Sequence, residues 1–232
     1  MNENAKELLG KAKYDFADLC RVMEILRGEG GCPWDREQTH ESIRKNFIEE
    51  TYEVVEAIDT KDAHLLCEEL GDVLLQVVFH TQIEREAGRF TIDDVTDGIV
   101  KKLIYRHPHI FADTTAETAE TVLDNWDKLK AKEKHRDTVT ASMRSVPRPL
   151  PALMRAEKVG KRAAKVGFDF ATAADAAVKI AEETNEVLTA TDATRAEEVG
   201  DLLFAAVNVA RKCGVDPERA LSDATDKFID RF

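Results

Sequence analysis

The chain has 232 residues, 43% of them hydrophobic, 34% charged and 6% aromatic, with six prolines and eleven glycines. This balance fits helices better than a β-sandwich and suits a soluble, helix-rich protein of one large domain or two small ones. The net charge of −12 opposes binding to nucleic acid or to an acidic membrane. It does not oppose a small anion, because a bound divalent metal inverts the local field.

No apolar run reaches the roughly 18 residues of a membrane span, and the N-terminus has no basic-then-apolar signal. Cys20, Cys32, Cys67 and Cys213 form no Cys-x-x-Cys pair. A reduced, cytoplasmic protein is expected.

In chain order, Phe16, Leu19, Met23 and Leu26 fall at helical spacing and predict a first helix over 12–26. The glycine-rich segment from Arg27 to Pro33 breaks it. Helices are expected near 41–57, 63–86 and 92–106, the last stopped by His107 and Pro108. Residues 115–134 read as a charged helical stretch carrying Trp126, and 135–151 as a linker that ends in Pro147, Pro149 and Pro151. Further helices are expected near 152–167, 174–188 and 194–212. A final helix opens at Asp216 and Pro217, an N-cap followed by proline at the first helical position. Period-two alternation is absent, so no strand is predicted.

The chain says one thing twice. Glu-Glu-Thr-Tyr-Glu-Val at 49–54 returns as Glu-Glu-Thr-Asn-Glu-Val at 182–187, and Glu-Glu-Leu-Gly-Asp-Val-Leu-Leu at 68–75 returns as Glu-Glu-Val-Gly-Asp-Leu-Leu-Phe at 197–204. Two signatures recurring in one order predict two related helical domains, 1–134 and 152–232. Helical residues three apart share a face, so Glu50 projects with Glu53, and Glu69 with Asp72. A short connection makes the two helices antiparallel, which brings the four carboxylates to one seam. Glu183, Glu186, Glu198 and Asp201 do the same in the second half.

Acids at spacing three are also common on solvated helix faces. Here Val54, Val55, Leu70, Val73, Leu74 and Val77 flank them, and the whole set recurs. Converging carboxylates repel and lose hydration, and a hard divalent cation compensates. All-oxygen donors suit Mg²⁺ or Mn²⁺. Gly71 and Gly200 sit inside the signatures at a cost of about 1 kcal/mol each against alanine, for which close helix approach is one explanation and a tolerated accident another. A third repeat, Lys102 with Arg106 and Lys227 with Arg231, gives each half a basic helix face of the kind a polyphosphate needs.

With these motifs go Gly31-Cys-Pro-Trp-Asp-Arg-Glu-Gln-Thr-His40, Arg106-His-Pro-His-Ile-Phe111, Asn125-Trp-Asp-Lys-Leu-Lys130 and Val166-Gly-Phe-Asp-Phe170. Together they resemble the MazG family of nucleoside triphosphate pyrophosphohydrolases over nearly the whole chain. The resemblance implies an all-α fold of two tandem four-helix-bundle-like domains, a homodimer, and Mg²⁺ dependence with Mn²⁺ as a substitute. The implied reaction converts a nucleoside triphosphate or its deoxy form to the monophosphate and pyrophosphate, by attack of a metal-activated water on the α-phosphorus. It makes Glu183, Glu186, Glu198 and Asp201 the catalytic metal ligands, with Glu50, Glu53, Glu69 and Asp72 as the matching set. It places Lys179, Glu182, Glu197, Lys227 and Arg231 at the nucleotide, with Lys102 and Arg106 in the equivalent places of the first half. Family members usually continue past the last basic pair with a helical segment that helps close the pocket.

Two rival readings are a non-catalytic nucleotide-binding regulator and a di-iron carboxylate bundle. The second needs Glu-x-x-His on the bundle helices, whereas the obvious instance, Glu37 to His40, lies beside the Pro-Trp-Asp turn. His107 and His109 read as turn residues, Trp34 and Trp126 as packing anchors, and Asn208 as a residue able to reach base or sugar.

Overall fold

The computed structural model describes residues 3–112 and 138–232, together with 118, 121, 122, 126 and 129. The helix expected over 115–134 falls almost wholly outside the described residues. The chain divides into two compact units, Met1–Thr115 and Ala116–Phe232. Among the described residues every regular element is a helix, so the fold is all-α. No described helix is long and apolar enough to cross a membrane.

The first unit holds α1 (Glu3–Leu9), α2 (Phe16–Arg27), α3 (Pro33–Glu37), α4 (Arg44–Thr60), α5 (Ala63–Glu86), α6 (Ile92–Arg106) and α7 (Pro108–Phe111). The sequence did not announce α1. Helix α2 opens at Phe16 rather than at residue 12 because Asp15 and Asp18 cap one another. Each carboxylate accepts the other's backbone N–H at 3.0 Å, and Lys11 closes on Asp18 at 2.6 Å.

Helices α4 and α5 pack as a hairpin. Lys61 turns the chain in the left-handed region at φ 57°, and Asp62 accepts from His64 N and Leu65 N at 2.9 and 3.1 Å to start α5. Met23, Ile43, Val78 and Phe79 are buried together, with Leu19, Cys20, Leu75 and Ile83 around them. Each side chain of that size contributes roughly 1.5–3 kcal/mol when fully buried. Arg27 carries the glycine-rich segment: its guanidinium lies 5.3 Å from the Phe79 ring centre, pairs with Glu86 at 2.8 Å, and donates to the carbonyls of Asp35 and Gln38. Trp34 stays 59% exposed, so it is not the packing anchor its type suggests.

The second unit holds α8 (Val139–Arg144), α9 (Ala152–Ala164), α10 (Ala173–Thr189), α11 (Arg195–Lys212) and α12 (Pro217–Arg231). Helix α8 lies inside the segment expected as linker. Thr138 caps it through Ala141 N at 3.1 Å, and Arg162 of α9 ties it down by donating to Ser142 O and Ser145 Oγ. Helices α10 and α11 form the second hairpin, α9 packs on α11, and α12 packs on α9 and α11. Among the described residues the buried hydrophobic side chains here are small: Val146, Ala176, Ala205 and Val207. Thr172 and Asp175 make the capping box that opens α10, and Asp216 with Pro217 opens α12 as expected.

Candidate active site

In the second unit, ligand oxygens of Glu183, Glu186 and Glu198 lie within 4.8 Å of one another. Glu183 and Glu186 come from one turn of α10 and Glu198 from the first turn of α11, so the hairpin produces the convergence. Glu183 is buried while Glu186 is exposed. The charge on Glu183 pushes the Glu186 carboxyl above its usual range, with burial and Glu198 adding to it. Lys179, one turn earlier, donates to Glu182 at 2.9 Å and to Glu183 Oε1 at 2.8 Å. Those two bonds hold its ammonium well above the usual lysine range. Glu183 Oε2 is buried without a hydrogen-bond partner, and a buried carboxylate oxygen left unpaired is costly. An orphaned anionic oxygen among hard oxygen donors is the chemistry a divalent cation fits.

Asp201 stands outside the three-residue set but lines a cavity of about 620 Å³ together with Lys179 and Glu183. The rest of that wall is largely apolar, with Phe168, Phe170, Phe204, Val159 and Ala163, and it also includes Asn208 and Arg211. A cavity of this size with a few convergent charged groups suits a small organic anion. Glu197 is exposed at the start of α11. Lys227 and Arg231 are exposed on α12, and neither is among the residues lining this cavity.

In the first unit Glu50, Glu69 and Asp72 lie within 4.8 Å of one another. Burial raises the Glu50 carboxyl, with Asp72 and Glu53 adding to it. Burial also raises Glu69, with Glu53 and then Asp72 adding to it. Glu53 is exposed and touches both. Lys102 is exposed on α6 and Arg106 is buried at its end. A Cβ added at Gly71 or Gly200 would meet nothing within 4 Å, so close helix approach does not explain either glycine.

Neither carboxylate group contains a histidine, which removes the chemistry of the di-iron reading. His40 pairs instead with His80 (Nδ1 to Nδ1, 2.7 Å) and with Glu84 (2.5 Å). Arg89 closes on Glu84 at 2.5 and 2.7 Å. Gln76, His80 and Glu84 continue from Asp72 at i+4 along α5, and Gln76 Oε1 is buried without a partner. That progression was readable, but the long reach from His40 was not. His107 donates to Leu103 O at 2.6 Å, a turn role.

A model of the MazG nucleotide pyrophosphohydrolase domain matches residues 38–111. A nucleoside triphosphate pyrophosphohydrolase of Escherichia coli strain K12 is 46% identical over 221 residues, covering 92% of this chain and 84% of that protein.

The chain belongs to the MazG family.

A second relative, the nucleoside triphosphate pyrophosphohydrolase/pyrophosphatase MazG of Thermotoga maritima, is 46% identical over 218 residues, covering 94% of this chain and 84% of that protein. YabN of Bacillus subtilis, described as uncharacterized, is 46% identical over 224 residues, 94% of this chain but 46% of its own length. The MazG domain match contains Glu50, Glu53, Glu69, Asp72, Lys102 and Arg106, the first copy of the repeated signature.

Proposed function

We propose that the protein hydrolyses nucleoside triphosphates, ribo or deoxy, to the monophosphate and pyrophosphate, with Mg²⁺ (or Mn²⁺) as cofactor and residues 152–232 as the catalytic domain. Residues 1–134 form the second domain of this reading. The observation that carries it is Glu183: buried, one oxygen on Lys179, the other unpartnered, in the wall of a cavity large enough for a nucleoside. Membership of the MazG family, and the printed activities of the E. coli and T. maritima relatives, support the same reaction.

Glu183, Glu186 and Glu198, with Asp201 beside them, would hold the cation. Mg²⁺ held there would supply positive charge to the phosphate oxygens and would make a water more acidic. Glu183 Oε1, released when Lys179 turns to a phosphate oxygen, would accept the proton as water attacks the α-phosphorus. The bond from that phosphorus to the α,β-bridging oxygen breaks, and pyrophosphate leaves. Lys179 lies within reach of both Glu182 and Glu183 and can pass to a phosphate oxygen without leaving the site. Lys227 and Arg231, exposed one turn apart on α12, would meet the leaving pyrophosphate, as Lys102 and Arg106 would in the first domain.

Val178, Leu188, Leu203, Phe228 and Ile229 are between 51% and 79% exposed. Exposed apolar side chains are the material from which an association surface is built, and the proposal includes a homodimer. Light scattering on the purified chain tests it, since a monomer at micromolar concentration would remove the dimer. The reaction is tested by coupled detection of pyrophosphate with Mg²⁺ and a nucleoside triphosphate. A signal lost on chelation supports the proposal, and tight nucleotide binding without turnover would favour the regulator.

A further inference from the structure

The Val166–Phe170 turn between α9 and α10 takes no part in the metal and phosphate contacts proposed above. Its backbone is fixed. Gly167 N and Phe168 N donate to Ala164 O and Ala163 O at 3.0 and 3.1 Å, and Gly167 sits at φ +84°, a conformation that favours glycine. Asp169 then fastens the turn to the C-terminal part of α11. Its carboxylate accepts from both terminal nitrogens of Arg211 and from Lys212 Nζ at 3.2 Å, and also from Phe170 N at 2.9 Å. The Arg211 guanidinium is itself held by Asn208 Oδ1.

This anchoring contrasts with the neighbouring side chain, because Phe168 is 81% exposed. A rigid turn that holds a phenyl ring in water contributes little to the core. Phe168 nevertheless lines the cavity that Phe170, Phe204, Lys179, Glu183 and Asp201 also line. Asn208 follows Asp201 by seven residues on α11, a rise of about 10 Å. Arg211, which Asp169 anchors, lies three residues further on, about 15 Å along the helix from Asp201, the span of a bound nucleotide. The same wall thus carries groups for a metal-bound phosphate and, further along, aromatic faces. Val-Gly-Phe-Asp-Phe occurs once in the chain, so the sequence of this turn is not part of the repeat.

We propose that Phe168 is the stacking platform for the nucleobase and that Asp169, through Arg211, is the positioning residue that holds it there. The proposal rests on the reading that the second unit binds a nucleoside triphosphate. Stacking on an aromatic face is indifferent to which base is present. The platform therefore acts on every base and on no substrate that lacks one.

The test compares two ligands in Mg²⁺ by calorimetry: an ATP analogue with a non-hydrolysable α,β-linkage, and inorganic tripolyphosphate. Phe168→Ala removes an exposed side chain and leaves the core intact. It is expected to weaken the analogue roughly 10- to 100-fold, the range of one base stack, and to leave tripolyphosphate affinity unchanged. Phe168→Trp restores the analogue and adds tryptophan emission that the analogue quenches. Asp169→Asn lowers the ratio of the two affinities in the same direction, which a general loss of folding does not do. Equal weakening of both ligands by Phe168→Ala, or none, overturns the platform. A wild-type protein that binds neither ligand overturns the parent reading instead.

Discussion

Lys179 Nζ lies 2.8 Å from Glu183 Oε1, one helical turn away, while Oε2 of the same carboxylate is buried without a partner. The chain's own cation balances one oxygen of this group, and the other is the oxygen that a divalent cation would take. Replacing it with the neutral isostere, Glu183→Gln, should lower turnover by at least about 100-fold, since outer-sphere changes alone cost 10- to 100-fold. Steady-state rates at saturating Mg²⁺ check this.

The first unit answers a separate question by pH. Burial and neighbouring acids raise the Glu69 carboxyl, so the folded state prefers it protonated. Its stabilising contribution is complete below the ordinary glutamate value of about 4.3 and is lost as pH rises through the raised value. Glu69→Gln should therefore melt higher than wild type at pH 7 without metal. The gap should close as pH falls toward 4. Added Mg²⁺ should raise the wild-type melting temperature more than the variant's.

Glu84 has the opposite sign. Arg89, then His40, hold its carboxyl down at about 2. Its contribution is present above the ordinary value near 4.3 and disappears as pH falls from there through about 2. Glu84→Gln should melt lower than wild type at pH 7, with the difference vanishing near pH 2. Thermal scans by circular dichroism across that range check it.

Gly160 on α9 faces Arg211 and Asn208. An added Cβ would lie 3.2 Å from Arg211 Nε and from Asn208 Oδ1. Asp169 holds the guanidinium in place, so the neighbour cannot move away freely. Overpacking of this kind costs 1–3 kcal/mol, against a helix-propensity gain of up to about 1 kcal/mol. Gly160→Ala should be about 1 kcal/mol less stable by urea titration.

What was legible in the sequence was local. Helices α5 and α6 begin and end where periodicity and the His107–Pro108 stop put them, with Asp62 and Thr91 as the caps that the structure adds. The paired carboxylates followed from helical spacing, and three of each four converge. Glu53 and Asp201 fall just outside their sets, because spacing gives a shared face but not a rotamer. Helix α1 is too short to show a period, and α8 forms through Arg162, 20 residues away. The His40–Glu84 pair spans 44 residues and the Asp169–Arg211 pair 42, distances at which no periodic pattern carries information.

The most direct test of the central claim is product analysis by ion exchange after incubation with Mg²⁺ and a nucleoside triphosphate. Wild type, Asp201→Asn and Asp72→Asn are compared. Monophosphate and pyrophosphate in equal amounts, lost in Asp201→Asn and kept in Asp72→Asn, are predicted. Diphosphate with orthophosphate, or activity that survives Asp201→Asn and is lost in Asp72→Asn, would contradict it.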